Sequence, residues 1–589
     1  MKKKGLASVV LAASMMLAAC SGGTTQETTQ APETTAAPET EAETTEEAEA
    51  AGGTYEITAA GYGGEMQVTV TIADGAVTDI ALGENHESKV VIDRAFPLIR
   101  ERILEAGTPV VDSVSGATFS SYAVKWAVGQ AMAEAGLEVE EITMATAGPE
   151  KEAVTLDDVE TDIVVVGGGP AGLAAAITAK ETNDAANIIV VEKMDILSGN
   201  GKFDMNFYDL INSEAQKAAG NEKWTVNQVE NFIEAKSSAG DTPERVAVWA
   251  EQENQLDAWL RGMGVELDYN YSNMNHMAKE DQYAGEVIQE GMEKRAYELG
   301  LDIRTGTKGT DLVMEDGRCV GVTVTNNNNE SYTIKAKNTI IATGGFCSSK
   351  ELLAEYAPGY EVLNTSNQIG TTGDFVKVFE ANGFKMEHMD NVRVFPSIIV
   401  PNRDLTGGAD LDILVNKEGQ RFIDETIETL ERGTAIQAQT SGAAFMLTDG
   451  TGYDSFYRIR KHVDAGYFKQ ADTWEGLAEE LGIDPAGLTE TIEKFNAAAE
   501  AGENDELQGA PAARPFDAEG PYYGARIEAA NHMTKGGVSC NEKAQVLYED
   551  GTPVEGLYAA GEVTWQSGGY SQSVSFGREA GKQAATTLE

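Results

Sequence analysis

The stretch Asp162-Ile-Val-Val-Val-Gly167-Gly168-Gly169-Pro170-Ala171-Gly172-Leu-Ala-Ala-Ala-Ile177 sets the fold of the chain. Its short β-branched opening reads as a strand buried on both faces, and the Ala- and Leu-rich continuation as a buried helix. A second apolar strand, Asn187-Ile-Ile-Val-Val-Glu192, follows and ends on an acid 20 residues beyond Gly172. A glycine triplet between strand and helix, with an acid closing the next strand, is the arrangement that holds a dinucleotide. Gly167 makes the tight turn, Gly169 lets a pyrophosphate reach the helix N-terminus and Gly172 packs helix on strand. Ala171 lies in the same turn. Glu192 is placed to take ribose hydroxyls, with Lys193 next to it.

On the N-terminal side of this unit, residues 141–158 form a polar joint, and residues 54–140 read as a small β-rich domain. Met66-Gln-Val-Thr-Val-Thr-Ile alternates, Asp74-Gly75 supplies a hairpin turn, and Ala76-Val-Thr-Asp-Ile-Ala-Leu returns. Helices are expected at about 91–105 and 120–135. Residues 21–53 carry eight Glu and no Lys or Arg among Thr, Ala, Pro, Ser, Gln and Gly, so they form a self-repelling, extended linker. Residues 1–20 have three lysines, an apolar run and then Leu17-Ala-Ala-Cys20, which reads as a signal peptide. No later apolar run is long enough to span a bilayer.

The formal net charge is −51, and removing signal and linker still leaves about −46 on the folded part, so nucleic acid is excluded as the default partner. Four cysteines in 589 residues cannot make a disulfide framework, and no C-x-x-C spacing supports a redox dithiol or attached haem. The five histidines are scattered, which leaves little material for a metal site; none is assigned.

Several motifs carry resemblances. Leu17-Ala-Ala-Cys20 resembles a bacterial lipobox, which implies lipid attachment at Cys20 and a protein tethered to the outer face of the cytoplasmic membrane. Asp112-Ser-Val-Ser115-Gly116-Ala117-Thr118 resembles the D-x-x-[ST]-G-A-T pattern of FMN-binding domains. That resemblance implies FMN joined covalently to Thr118 by a dedicated flavin transferase, with Ser115, Gly116 and Ala117 shaping the turn. The dinucleotide unit, with Asn338-Thr-Ile-Ile-Ala-Thr343-Gly344-Gly345, Gly556-Leu-Tyr-Ala-Ala-Gly561-Glu562 and Ser575-Phe-Gly577-Arg578, is similar to the flavoproteins of the fumarate reductase and flavocytochrome c family. It implies non-covalent FAD. Ser198-Gly199-Asn200-Gly201 stands where the family contacts the isoalloxazine, so Asn200 joins the expected cofactor residues. Gly383–His388 and Ile413–Glu425 resemble the opening of the family's mobile capping domain.

The expected fold class is α/β: a Rossmann-type FAD-binding domain with an inserted α+β capping domain, preceded by a small α+β FMN-binding domain. The boundaries follow as signal 1–20, linker 21–53, FMN-binding domain 54–140, joint 141–158, then the FAD-binding domain in two segments, 159–387 and 521–589, interrupted by the cap at 388–520.

The family's active-site residues are the part that is missing. The family's His-Pro-Thr reads Phe395-Pro396-Ser397, the position of its proton-donating arginine holds Thr429, and Glu562–Ser575 contains no basic residue. Losing several charged hydrogen bonds, each worth roughly 1.5–3 kcal/mol, removes the clamp for a dicarboxylate. Hydride chemistry at FAD survives that loss. The expected activity is therefore an FAD-dependent oxidoreductase passing electrons from FMN to FAD and on to an exogenous α,β-unsaturated acid or ketone, drawing on a membrane or extracellular donor. A ketone dehydrogenase of the ketosteroid type and a non-catalytic flavin electron carrier stay open as alternatives. The proton-donor candidates are Tyr570, Tyr523, Arg432 and His532; Phe395, Trp565 and Tyr570 are expected to wall the substrate pocket, and Arg393, Arg403 or Arg432 to hold a single carboxylate.

Overall fold

A computed structural model describes residues 52–588 except 198, 203–206, 273, 280–281, 401–402, 409 and 567. The signal peptide, Cys20, nearly all of the linker, Ser198 and the stretch after Lys202 therefore lie outside the described residues.

The first domain is a three-stranded antiparallel sheet, Gly53–Ala60, Glu65–Ala73 and Ala76–Asn85, in sequential order. The alternation in the middle strand puts Met66, Val68, Val70 and Ile72 on one buried face. Asp74 and Gly75 both have positive φ, the backbone that matches a two-residue turn to the twist of its strands. Helices Lys89–Ala106 and Thr118–Glu134 cover the buried face, Ile99, Ile103, Val124 and Val128 filling the core. Ile196, from beyond the first sheet, also inserts into this core.

The large sheet runs Asp302–Arg304, Ile188–Val191, Val159–Val166, Glu330–Ile341, Arg318–Asn326, Pro553–Ala559 and Gln545–Leu547. Its centre is parallel: Val159–Val166 lies between Ile188–Val191 and Glu330–Ile341, which also pairs in parallel with Pro553–Ala559. Helix Pro170–Thr182 packs against the C-terminal helix Tyr570–Thr586. The two backbones meet through small residues: a Cβ on Gly577 would lie 2.3 Å from the carbonyl of Ala171, and one on Gly581 2.0 Å from that of Ala175.

The cap is built on a second sheet whose central strand is Tyr522–Thr534, paired with Asn364–Thr365, Val392–Ile399, Ala443–Thr448 and Lys469–Ala471. Tyr522–Thr534, which begins one residue after the boundary expected between cap and FAD-binding segment, pairs with strands of the cap segment and delivers its C-terminal end to the cleft.

Candidate active site

The parallel strands, the C-terminal helix and the end of the cap's central strand enclose one elongated cleft. At one end is the glycine turn. Gly167 has φ +112° and leaves 2.3 Å between its would-be Cβ and the carbonyl of Ala342, while a Cβ on Gly172 would stand 1.9 Å from the carbonyl of Gly167. Gly169 is the N-cap of the helix, with Pro170 following it, so the helix dipole and its first N–H groups face the cleft. Glu192 holds this turn in shape: its Oε2 accepts the Gly168 N–H at 2.7 Å and its Oε1 the Met194 N–H at 2.8 Å. Lys193 lines the cleft and pairs with Asp374 at 2.6 Å, which Lys308 also reaches at 2.9 Å.

Further along the cleft Asn200 accepts the Gln368 N–H at 3.1 Å and donates to Asn367 Oδ1 at 2.8 Å. Gly344 and Gly561, both at positive φ, bring bare backbone to the surface. Glu562 accepts the N–H of Thr534 at 2.9 Å, and burial pushes its carboxyl up to about 7. Two hydroxyls here are buried without a hydrogen-bond partner, Thr343 Oγ1 and Tyr570 OH. Orphaned donors beside an uncluttered glycine surface fit a bound dinucleotide, because buried polar groups otherwise find partners. The residues expected for FAD thus converge on one site.

The proton-donor candidates divide. Tyr570 and His532 line the cleft; Tyr523 and Arg432 do not. Tyr523 lies nine residues before His532 on the same strand, about 30 Å away at 3.3 Å per residue, where it stacks on Tyr453 with centroids 5.2 Å apart. Arg432 turns toward the Glu425 carbonyl within the cap. Burial, chiefly, lowers His532 to about 4, so its imidazole is neutral at pH 7, with Nδ1 at 2.8 Å from Ser366 Oγ. Burial pushes the Tyr570 phenol upward, which keeps it protonated.

Of the expected aromatic wall only Tyr570 lines the cleft. Phe395 packs behind His532, and Trp565 lies against His388 with centroids 4.1 Å apart. The aromatic that does line it from outside the FAD-binding unit is Tyr62, in the first domain's Gly61-Tyr-Gly-Gly64 turn. Sequence reasoning missed it because nothing local says what the turn faces. Arg393 and Arg403 are both at the cleft. Burial lowers the pKa of Arg403, with Tyr62 acting against it.

The stretch 112–118 of the first domain lies at its junction with the FAD-binding unit. Gly116 has φ +93°, and Thr118 opens a 17-residue helix that no side chain caps. Ser115, expected among the cofactor residues, holds Asp195, whose Oδ2 accepts both its N–H at 2.7 Å and its hydroxyl at 2.9 Å. Arg102 and Asn327 complete this clamp on Asp195 Oδ1 at 2.8 and 2.7 Å. Asp195 lies three residues beyond Glu192, so the clamp ties the attachment turn to the edge of the cleft.

A dinucleotide cleft beneath a cap, joined to a small domain with a threonine at an uncapped helix N-terminus, defines a two-site flavoprotein. Residues 162–577 match the family described as FAD binding domain and residues 61–133 the FMN-binding domain, and the chain belongs to the first family and carries the second as its N-terminal domain. The chain is 31% identical to a urocanate reductase of Eggerthella lenta, over 90% of this chain and 91% of that one. It is 29% identical to an NADH:fumarate oxidoreductase of Klebsiella pneumoniae over 88% of its own length, spanning 57% of the relative. Among solved structures, the open conformation of a flavocytochrome c3 fumarate reductase superposes with TM-score 0.66 at 30% identity, over 73% of this chain and 78% of that one.

Proposed function

We propose that the protein is a flavin-dependent reductase of carbon–carbon double bonds whose acceptor is an α,β-unsaturated acid or ketone other than fumarate. The reading includes attachment through Cys20 to the outer face of the cytoplasmic membrane, an electron donor in that membrane or outside it, and a flavin transferase that modifies Thr118. The relatives named above, a urocanate reductase and a fumarate oxidoreductase, support double-bond reduction.

The observation that carries the choice of acceptor is Arg403. Arg403 stands on the cleft wall, partly withdrawn from water, where a ligand carboxylate makes a charged hydrogen bond to its guanidinium. The only other arginine on the cleft wall, among the described residues, is exposed Arg393. One half-buried cation and one neutral histidine match a monocarboxylate better than a dianion.

FAD bound in the cleft, fed from FMN on Thr118, supplies the electrons. The chain supplies the rest. The glycine turn and helix N-terminus bind the pyrophosphate, Arg403 orients the acceptor's carboxylate, and Ser366 fixes the orientation of neutral His532. Tyr570 holds a proton on a buried oxygen with no other partner, the state a general acid needs.

The test is Arg403→Gln assayed with an acid acceptor and with its ester or a ketone. Losing a charged hydrogen bond worth roughly 1.5–3 kcal/mol raises KM for the acid about 10- to 150-fold and leaves the uncharged acceptor unaffected. Equal effects on both acceptors would remove Arg403 as the anchor.

A further inference from the structure

A second cavity, of about 300 Å³, lies where the first domain, the FAD-binding unit and the cap meet. We propose that it is the seat of the flavin ring carried on Thr118, so that the FMN ring is held by residues of the cap as well as by its own domain. The inference rests on the assignment of FMN to Thr118.

The first support is reach. The two residues after Thr118 are both attached to the cavity wall: Phe119 packs on Tyr62, centroids 6.5 Å apart, and Ser120 Oγ donates a short hydrogen bond to Glu87 Oε2. Tyr62 and Glu87 line the cavity. Thr118 begins its helix with no side-chain cap, so a phosphoester there meets the helix's free N–H groups and positive dipole end, while the ring extends toward the wall that Phe119 and Ser120 touch.

The second support is the chemistry of the wall. Tyr62, Tyr283, Tyr457 and Tyr467 come from three different regions of the chain and converge there, and Tyr283 and Tyr457 are 5.5 Å apart between ring centroids. A planar aromatic ring system is what such a wall receives. Lys461 Nζ stands 3.9 Å from the centroid of the Tyr283 ring, which places a cation beside the cavity for a flavin's pyrimidine oxygens.

The third support is position. Tyr62 and Asp404 line both this cavity and the dinucleotide cleft, so a single layer of side chains separates the two. The first domain closes tightly on the cap at this point: Gly64 has φ +112°, and a Cβ there would lie 2.7 Å from the carbonyl of Ala465. A ring seated in the cavity therefore lies next to the cleft and bridges the cap to the domain that carries it.

The test uses the full, flavinylated and FAD-loaded protein. Mass spectrometry of the peptide containing Thr118 comes first: an unmodified peptide would defeat the Thr118 assignment, which is a separate failure from that of the seat. With attachment established, Tyr457→Ala and Lys461→Gln are compared with Lys494→Gln, a lysine outside both cavities. Loss of a stacking tyrosine raises the fluorescence of the covalent flavin severalfold. Loss of the cation lowers the FMN midpoint potential by about 30 mV, a tenfold weaker preference for the two-electron-reduced form. Lys494→Gln changes neither. Because Lys461 is exposed, its variant keeps the test open if Tyr457→Ala does not fold. Flavin fluorescence and potential unchanged in the variants would overturn the seat, and so would a change confined to the KM of the acceptor, which would make the cavity a substrate passage instead.

Discussion

Glu562 gives the sharpest quantitative handle on the cleft. Its Oε1 accepts the Thr534 N–H at 2.9 Å and hydroxyl at 3.2 Å, and a Cβ on Gly345 would sit 2.5 Å from the same oxygen. No cation contributes to its titration; burial raises the carboxyl from 4.5 to about 7, with the Thr534 and Asn200 hydrogen bonds opposing. The folded protein therefore binds this proton more tightly than the unfolded chain. The stabilising contribution is complete below the unfolded pKa and is lost as pH rises toward about 7. At about 1.4 kcal/mol per pH unit the loss amounts to roughly 3 kcal/mol as an upper value, since the side chain keeps some exposure to the cleft. Glu562→Gln keeps the acceptor for Thr534 and removes the ionisation. In urea unfolding of the FAD-free protein, the variant should match the wild type near pH 4 and exceed it by up to that amount near pH 8. A stability difference that is the same at both pH values would refute the reasoning.

Tyr570→Phe should lower turnover by about 10²–10⁴-fold, the usual contribution of a general acid, whereas Tyr523→Phe in the cap core should leave it unchanged; steady-state kinetics with one acceptor checks both. Gly581→Ala drives a Cβ into the Ala175 carbonyl at 2.0 Å, and forcing the two helices apart should cost about 1–3 kcal/mol and weaken FAD retention, read by thermal unfolding and flavin release. Asp195→Ala strands the donors of Ser115, Arg102 and Asn327 at a mostly buried site, costing roughly 3 kcal/mol, and should speed hydrogen exchange at 113–118 and 192–197. Thr118→Ala should abolish covalent flavin in denatured protein and stop turnover from the natural donor while leaving turnover from a small-molecule reductant.

What is legible in the sequence is whatever the backbone itself enforces. Gly167 and Gly172 have no room for a side chain because carbonyls lie within 2.3 Å and 1.9 Å of where a Cβ would be, so the motif and its geometry are one fact. The Asp74-Gly75 turn and the alternation through Ile72 are local in the same sense. The cap is less legible: Tyr522–Thr534 carries no local mark of belonging to the cap, because its membership is set by distant partners such as Val392–Ile399 and Ala443–Thr448. Tyr523 and His532 look equally suited to proton transfer in sequence, and only the length of the strand separates them. Glu192 reads as a ribose ligand; that it also ties down Gly168 and Met194 depends on a loop whose path sequence does not reveal. Tyr62 and Asp195 act across domain junctions, and single-residue reasoning has no signal for a partner so far away along the chain.

The most direct test of the account is the oxidation of dithionite-reduced viologen by the flavinylated, FAD-loaded protein with a panel of acceptors: fumarate, urocanate, aryl-acrylates, enones and a sulfoxide. The account predicts rapid reoxidation with at least one monocarboxylate or ketone carrying an activated double bond, and a much lower kcat/KM for fumarate. Fumarate as the best acceptor, or no turnover with any double bond while both flavins remain reducible, would contradict it.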